Sequence, residues 1–294
     1  MQHSRSRLER TAFGLLALGI AVRSAVWAGG APIETRAKDP YLGAIAVDAA
    51  SGRVLVEDDP DAKGYPASML KLMVLLVILE KIDASELSLA DKVKVTAEAA
   101  RMGGSQVYLA EKEVFTVDDL LYALMVQSAN DAAVALAIHV AGSKEAFVEL
   151  MNRKAQALGM KSTVFCSVHG LPPGAGQKPD VTTPRDMAIL CREVVKRPRA
   201  LLYTSTRERP FRTQAKEPFI LRTHNRLLGA VEGCDGLKTG YFRAAGYSIS
   251  ATAARGGKRV IVVVLGSKDR QTRDLKAREL IAKSFAALAA PPGK

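Results

Sequence analysis

The sequence predicts an α/β protein in which one antiparallel sheet is assembled from both ends of the chain, flanked by helices, with a helical lobe between them. Three observations lead there. Strand-like segments occupy residues 41–57 and return from Leu237 onward. The middle of the chain carries helix-start and helix-stop residues in repeated succession. No Pro/Gly/Ser linker, internal repeat or low-complexity tract separates these regions. Composition agrees: of 294 residues, 48% are hydrophobic and 24% charged, which excludes a largely disordered chain, a collagen-like repeat and a polytopic membrane protein. Lys+Arg 42 against Asp+Glu 30 give a net charge of +12, which suggests an anionic partner without naming it. Three cysteines cannot all pair within one chain, so this is no disulfide scaffold.

At the N-terminus, Arg5, Arg7 and Arg10 precede an apolar run from Ala12 to Val22, followed by Val26-Trp27-Ala28. The run is too short to span a bilayer, which needs about 20 residues. This is the three-part layout of a secretory signal peptide ending near Ala28. Residues 1–28 hold four Arg and one Glu, so 29–294 keep +9 of the charge.

Leu42 to Val47 and Val54 to Glu57 read as strands joined by an Asp-Ala-Ala-Ser-Gly turn. An apolar helix follows from Ala67 to Lys81. Thr116 with Asp119 is a capping-box signal for a helix reaching Gln127. Asp131 to Val140 is a helix stopped by Gly142, and Phe147 to Leu158 one closed by Gly159. Gly170 to Pro179 is a loop, after which Thr183-Pro184 opens a helix through Val195. The basic segment Arg207 to Arg226 reads as a solvated loop. Gly246 to Ala254 and Arg259 to Leu265 flank an Arg-Gly-Gly-Lys turn, the signal of a hairpin. A helix from Arg273 to Leu288 closes the chain, and a cleft between the two lobes is the natural binding site.

Three motifs occur once each, in order: Ser68-Met69-Leu70-Lys71, Ser128-Ala129-Asn130 and Lys238-Thr239-Gly240. Ser68 falls in the first turn of the apolar helix, where backbone N–H groups lack intrahelical partners and attract an anion. Lys71 lies one turn on, on the same face and amid apolar bulk, where a desolvated amine serves as a general base. Ser128 and Asn130 sit at a corner between helices. A hydroxyl there relays a proton, and an amide holds a substrate amide. Lys238 and Thr239 offer a cation and a hydroxyl suited to a carboxylate. Gly240 leaves room for close backbone approach, and the N–H of Tyr241 completes an oxyanion hole with that of Ser68. Taken singly, each motif also fits an ordinary capped helix or glycine-containing strand.

Together the three resemble the signature of the penicillin-recognising serine acyltransferases. Pro66-Ala67-Ser68, Gly103-Gly104-Ser105, Ser128 to Ala135, His169-Gly170-Leu171, Asn225 to Leu228 and Asp235 to Gly240 further resemble the low-molecular-mass D-alanyl-D-alanine carboxypeptidases, across roughly residues 38–288. The resemblance implies a serine β-lactamase/DD-peptidase-like fold. It implies Ser68 as acyl-forming nucleophile, Lys71 as its base, Ser128 and Asn130 in proton transfer and alignment, and Lys238, Thr239, Gly240 and Tyr241 in substrate binding. The implied reaction removes the terminal D-alanine of peptidoglycan stem pentapeptides, without metal or organic cofactor, and β-lactams would acylate Ser68. The implied location is the periplasm, as a soluble catalytic domain over 29–294 with at most peripheral membrane association. Many relatives add a C-terminal β-sandwich domain and anchor helix, neither of which is expected here. Leu70, Phe242 and the pair Ser167-Val168 depart from the usual residues and bear on rate and substrate preference.

Other readings are weaker. A class A β-lactamase needs a Glu about forty residues past Ser-x-Asn, and residues 160–180 contain none. A D,D-endopeptidase that cuts cross-links shares every motif and is not separated by sequence. A noncatalytic penicillin-binding scaffold would not need all three motifs intact. Nucleic-acid binding lacks any recognisable motif. A Ser-His-Asp hydrolase lacks Gly-x-Ser-x-Gly; His139 falls mid-helix, and His169 and His224 in loops, where they read as structural or solvent-facing. Cys166, Cys191 and Cys234 show no metal spacing; Cys191 reads as core, and Cys234 as a thiol open to modification beside the Lys-Thr-Gly strand.

Overall fold

The computed structural model describes residues 33–214 and 216–290; the export segment expected at 1–28 lies outside the described residues. In chain order, β1 (Gly43–Asp48) and β2 (Val54–Asp58) form the expected hairpin. A 3-10 turn, Ala67–Leu70, leads into α1 (Lys71–Asp83). The helical lobe contains β3 (Lys92–Lys94), α2 (Ala97–Ala100), β4 (Val114–Thr116) and α3 (Val117–Tyr122), which runs into a π-helical turn, Ala123–Gln127. It continues with α4 (Asn130–Ala141) and α5 (Lys144–Ala157). The chain then forms α6 (Pro184–Val195), α7 (Pro198–Ser205), β5 (Glu208–Phe211) and β6 (Phe219–Arg222). It ends in β7 (Cys234–Phe242), β8 (Gly246–Arg255), β9 (Lys258–Ser267) and α8 (Arg270–Ala289).

The main sheet is antiparallel in the order β2-β1-β9-β8-β7, so strands from the two chain ends meet at the β1–β9 pair. Side chains alternate with period two. Ala44, Ala46, Val260, Val262 and Val264 share one core with Leu280 and Ile281 of α8. Ile45, Val47, Ile261, Val263 and Leu265 share the other with Met69, Leu72 and the α6 residues Met187 and Leu190. Each fully buried aliphatic side chain contributes about 1.5–3 kcal/mol by removal from water. In α1, every residue from Lys71 to Leu79 is buried, which marks a helix enclosed on all sides. The side-chain oxygens of Thr116, Ser143, Thr183 and Asp269 each accept from the N–H three residues on, as N-caps worth about 1 kcal/mol apiece.

The structure differs from the sequence reading mainly in the segment 207–226. This is not a solvated loop but holds the β5–β6 hairpin. Two of its arginines are engaged: Arg209 stacks over the Tyr122 ring at 3.7 Å, and Arg212 pairs with Glu113 at 2.8 Å while donating to Val107 O. Charged residues on both strand faces hide the alternation that signals a strand. No helix among the described residues is long and apolar enough to cross a membrane.

Candidate active site

Ser68 Oγ lies 3.0 Å from Lys71 Nζ, one turn away as the spacing predicts. Lys71 Nζ also donates to Asn130 Oδ1 and His169 O, both at 2.7 Å. The two carbonyl oxygens can only accept, whereas the Ser68 hydroxyl can donate as well. A neutral Lys71 therefore spends its two N–H bonds on the carbonyls and turns its lone pair to Ser68. Burial, then the nearby charge of Lys238, push the Lys71 amine well below its ordinary range, against the opposing pull of Asp180 and Asp131. The lysine is thus aimed at the hydroxyl in a place that disfavours its charged form.

Both carbonyls are held from behind. Asn130 Nδ2 donates to Gly103 O at 2.8 Å, which fixes the amide with its oxygen toward Lys71. Its backbone N donates to Ser105 O at 2.7 Å. The carboxylate of Asp131, fully buried, accepts from Val107 N, Leu109 N and Ala132 N, tying the 103–109 segment to the start of α4. On the other side, Gly170 N donates to Ser167 Oγ at 2.9 Å, and Ser167 Oγ donates to Asp180 at 2.7 Å. Asp180 also accepts from Cys166 N and Ser167 N, so this loop is pinned around the His169 carbonyl.

Ser128 occupies the junction between the π-helical turn and α4 with φ 63°, and Ala67 precedes Ser68 with φ 47°. Non-glycine residues in the left-handed region cost about 1–2 kcal/mol each. Two such residues beside the site mark backbone bent to aim side chains into the cleft. Ser128 lines that cleft, together with Ser68, Asn130, Thr239 and Gly240, around a volume of about 490 Å³.

β7 is the edge strand of the main sheet and borders the cleft. Gly240 sits against the 3-10 turn: a Cβ there would lie 2.4 Å from Pro66 O and 3.2 Å from Met69 N. Glycine is therefore what lets the strand approach Ser68. We expect Gly240→Ala to lower the rate of Ser68 acylation about 100-fold, the scale of a 1 Å displacement of reacting groups. Stopped-flow acylation checks this; a rate within two-fold of the parent would show that the close approach is dispensable. Lys238 is buried, its Nζ donating to Thr239 O at 3.1 Å, and desolvation followed by the charge of Arg273 lowers it to about 7.

All eight residues singled out from the sequence converge here, but two interactions differ from expectation. Asn130 was expected to hold a substrate amide; its oxygen is committed to Lys71 and one N–H to Gly103 O, leaving a single N–H for a ligand. Ser128 has no bond to Lys71, although it shares the cleft. Sequence reading missed Arg273, which reaches the cleft from α8, Arg226 and Arg270 at its rim, and the carbonyl of His169. The His-Gly-Leu match was the one available signal for the last. His139 is exposed as expected. His169 is half-buried and His224 exposed where it lines the cleft; desolvation lowers both to about 4. Cys191 is core, its thiol pushed up to about 12 by burial. Cys234 is less open than expected: it is partly buried, burial raises its thiol, and Sγ donates to Gly236 O.

A sequence profile described as D-alanyl-D-alanine carboxypeptidase matches residues 32–269. The chain is 36% identical over 242 residues to D-alanyl-D-alanine carboxypeptidase DacF of Bacillus subtilis, covering 82% of this chain and 61% of that protein. It is 37% identical over 249 residues to DacC of Escherichia coli, covering 82% and 60%. The chain thus spans about three fifths of the length of these curated relatives. Among solved structures, penicillin-binding protein D2 of Listeria monocytogenes in its ampicillin-bound form superposes with a TM-score of 0.74 at 33% identity, over 84% of this chain and 97% of that one.

Proposed function

The chain belongs to the D-alanyl-D-alanine carboxypeptidase family, and from that premise we propose that it is a serine-type carboxypeptidase that removes the terminal D-alanine from peptidoglycan stem pentapeptides. The observation that carries the reading is the Ser68–Lys71 pair, with the lysine buried, 3.0 Å from the hydroxyl and in surroundings that lower its basicity. Ser68 Oγ attacks the carbonyl of the penultimate D-alanine and its proton passes to Lys71 Nζ. The C–N bond breaks as the leaving amine takes a proton through Ser128, and D-alanine departs. Water then attacks the ester, giving the shortened peptide and restoring the Ser68 hydroxyl. The N–H groups of Ser68 and Tyr241 receive the developing oxyanion, and Lys238, Thr239 and Arg273 form a cationic corner for the terminal carboxylate. β-Lactams acylate the same oxygen. The enzyme works outside the cytoplasm on the cell wall, as the layout of residues 1–28 and the nature of the substrate both suggest. Asp180, the one carboxylate of residues 160–180, is occupied by Cys166 and Ser167, which argues against a β-lactamase that would need a free base there to activate water.

Incubating the purified protein with a stem pentapeptide and weighing the products tests the proposal. Loss of one D-alanine is expected; an unchanged pentapeptide would overturn it.

The electrostatics give a pH profile. Acylation needs neutral Lys71, so kcat/KM rises with pH through the depressed value of that amine. Carboxylate binding needs charged Lys238, so kcat/KM falls again above about 7, the value to which burial lowers Lys238 in the free enzyme. A substrate whose terminal carboxylate is an amide should show the rising limb alone. Identical alkaline limbs for acid and amide would remove Lys238 from carboxylate binding.

A further inference from the structure

The cleft does not end at Arg273. Beyond Arg270 a second cavity of about 680 Å³ opens along the outer face of α8, and Arg226, Tyr247 and Arg270 line both. Arg278 lines the outer cavity alone, with Asp274 and Leu275. From Arg270 to Arg278 the helix rises by about 12 Å, the reach of three or four extended residues.

The charge in this groove is uncompensated. Among the described residues, none of Arg226, Arg270 and Arg278 forms an ion pair, whereas Arg273 pairs with Asp274 at 2.6 Å and Arg259 with Asp235 at 2.7 Å. Asp274, the only acid lining the groove, is thereby spent on Arg273. Arg278 donates only to Ala230 O, at 3.2 Å, which fixes its place without neutralising it. Burial lowers the Arg273 guanidinium, Asp274 opposes this, and the charges of Arg270 and Arg226 add to the lowering, which places three like charges close together at one end of the cleft. Guanidinium groups in this arrangement are suited to carboxylates.

We infer that the Arg226–Arg270–Arg278 groove is a second carboxylate subsite on the leaving-group side, taking a peptide that continues beyond the scissile bond. This rests on the reading of Lys238, Thr239 and Arg273 as the corner for the terminal carboxylate, because the groove continues outward from that corner. Free D-alanine as leaving group carries one carboxylate and ends there. A leaving group that is itself a stem peptide, joined through a side-chain amine as in a cross-link, carries further carboxylates and has the length to reach Arg278. The groove therefore favours cleavage of cross-linked stems alongside removal of D-alanine.

Three substrates separate the cases: a stem pentapeptide, a cross-linked muropeptide dimer, and the same dimer with its leaving-side carboxylates amidated. Each is assayed with the parent protein, Arg278→Glu and Arg278→Lys. Arg278→Glu should lower kcat/KM for the free-acid dimer about five-fold, the scale of a partly exposed charge contact, and leave the pentapeptide and amidated dimer within two-fold. Arg278→Lys should keep the parent preference, because the charge remains. An unchanged ratio of dimer to pentapeptide cleavage in Arg278→Glu overturns the subsite. A binding measurement stands apart from hydrolysis: fluorescence anisotropy of a labelled leaving-side peptide with two carboxylates should show about five-fold weaker binding to Arg278→Glu. Equal affinity overturns the subsite even if no substrate is cleaved. Failure to cleave the pentapeptide, by contrast, overturns the proposed activity and leaves the binding result to decide the groove.

Discussion

Ser68→Ala is expected to abolish covalent labelling by a fluorescent penicillin and to lower D-alanine release about 10⁴-fold or more, the scale seen when a nucleophile is removed from a cooperating set. Lys71→Met should reach nearly the same loss, and the double variant should be no worse than either, because the two groups act in one proton transfer. The fold should tolerate both changes. Ser68 Oγ makes its one hydrogen bond to Lys71, so its removal costs at most about 1.5 kcal/mol. Methionine fills the volume of Lys71 and ends the desolvation of an amine in a fully buried place. Its loss leaves Asn130 Oδ1 and His169 O without their lysine donor, a cost that offsets part of that gain. Penicillin labelling that survives Ser68→Ala would refute the nucleophile, and a double variant far slower than both singles would refute the single-unit account.

The origin of that unit explains which parts could be read from sequence. Ser68 and Lys71 were legible because their relation is local: three residues on a helix fix a shared face whatever the rest of the chain does. The strands β1, β8 and β9 were legible because Ala44, Ile45, Ala46 and Val47 alternate between two cores, and the Gly256-Gly257 pair supplies the two positive φ values of a tight turn. The caps Thr116, Thr183 and Gly142 were legible for the same reason, as each acts within one turn. What escaped depends on distance along the chain. The His169 carbonyl meets Lys71 across 98 residues, and Arg273 arrives from a helix that begins only after the last strand. Nothing in a backbone carbonyl or a helix arginine announces its partner. The β5–β6 hairpin escaped for a different reason. Its strands are four residues long, and β5 places Glu208 and Arg209 side by side, so pairing with β6 and the packing of Arg209 on Tyr122 define it where period does not. The commitment of the Asn130 amide to Lys71 was also hidden, since the motif gives the residue without saying which way its amide turns.

Asp131 is where fold and site depend on one another most heavily. Asp131→Ala is expected to lower stability by about 3–5 kcal/mol, the range for dismantling a buried charged hydrogen-bond centre. The carboxylate is fully buried and serves three backbone donors, Val107 N at 3.1 Å, Leu109 N at 3.0 Å and Ala132 N at 2.9 Å. Alanine strands all three where water does not follow, and each orphaned donor costs about 1–3 kcal/mol before relaxation. Asp131→Asn keeps the volume and one accepting oxygen. It should recover part of the loss, while its amide N–H groups confront at least one backbone donor. The consequence for chemistry follows from the same bonds. With residues 103–109 released from α4, Gly103 O and Ser105 O no longer hold Asn130, and the oxygen that accepts a hydrogen bond from Lys71 loses its fixed place. Denaturant unfolding should therefore order the variants as parent, Asn, Ala. Penicillin acylation, measured where each variant is still folded, should fall in the same order. If Asp131→Ala unfolds within 1 kcal/mol of the parent, the carboxylate is not the tie between these segments. If stability falls but the acylation rate holds, Asn130 keeps Lys71 aimed without help from residues 103–109.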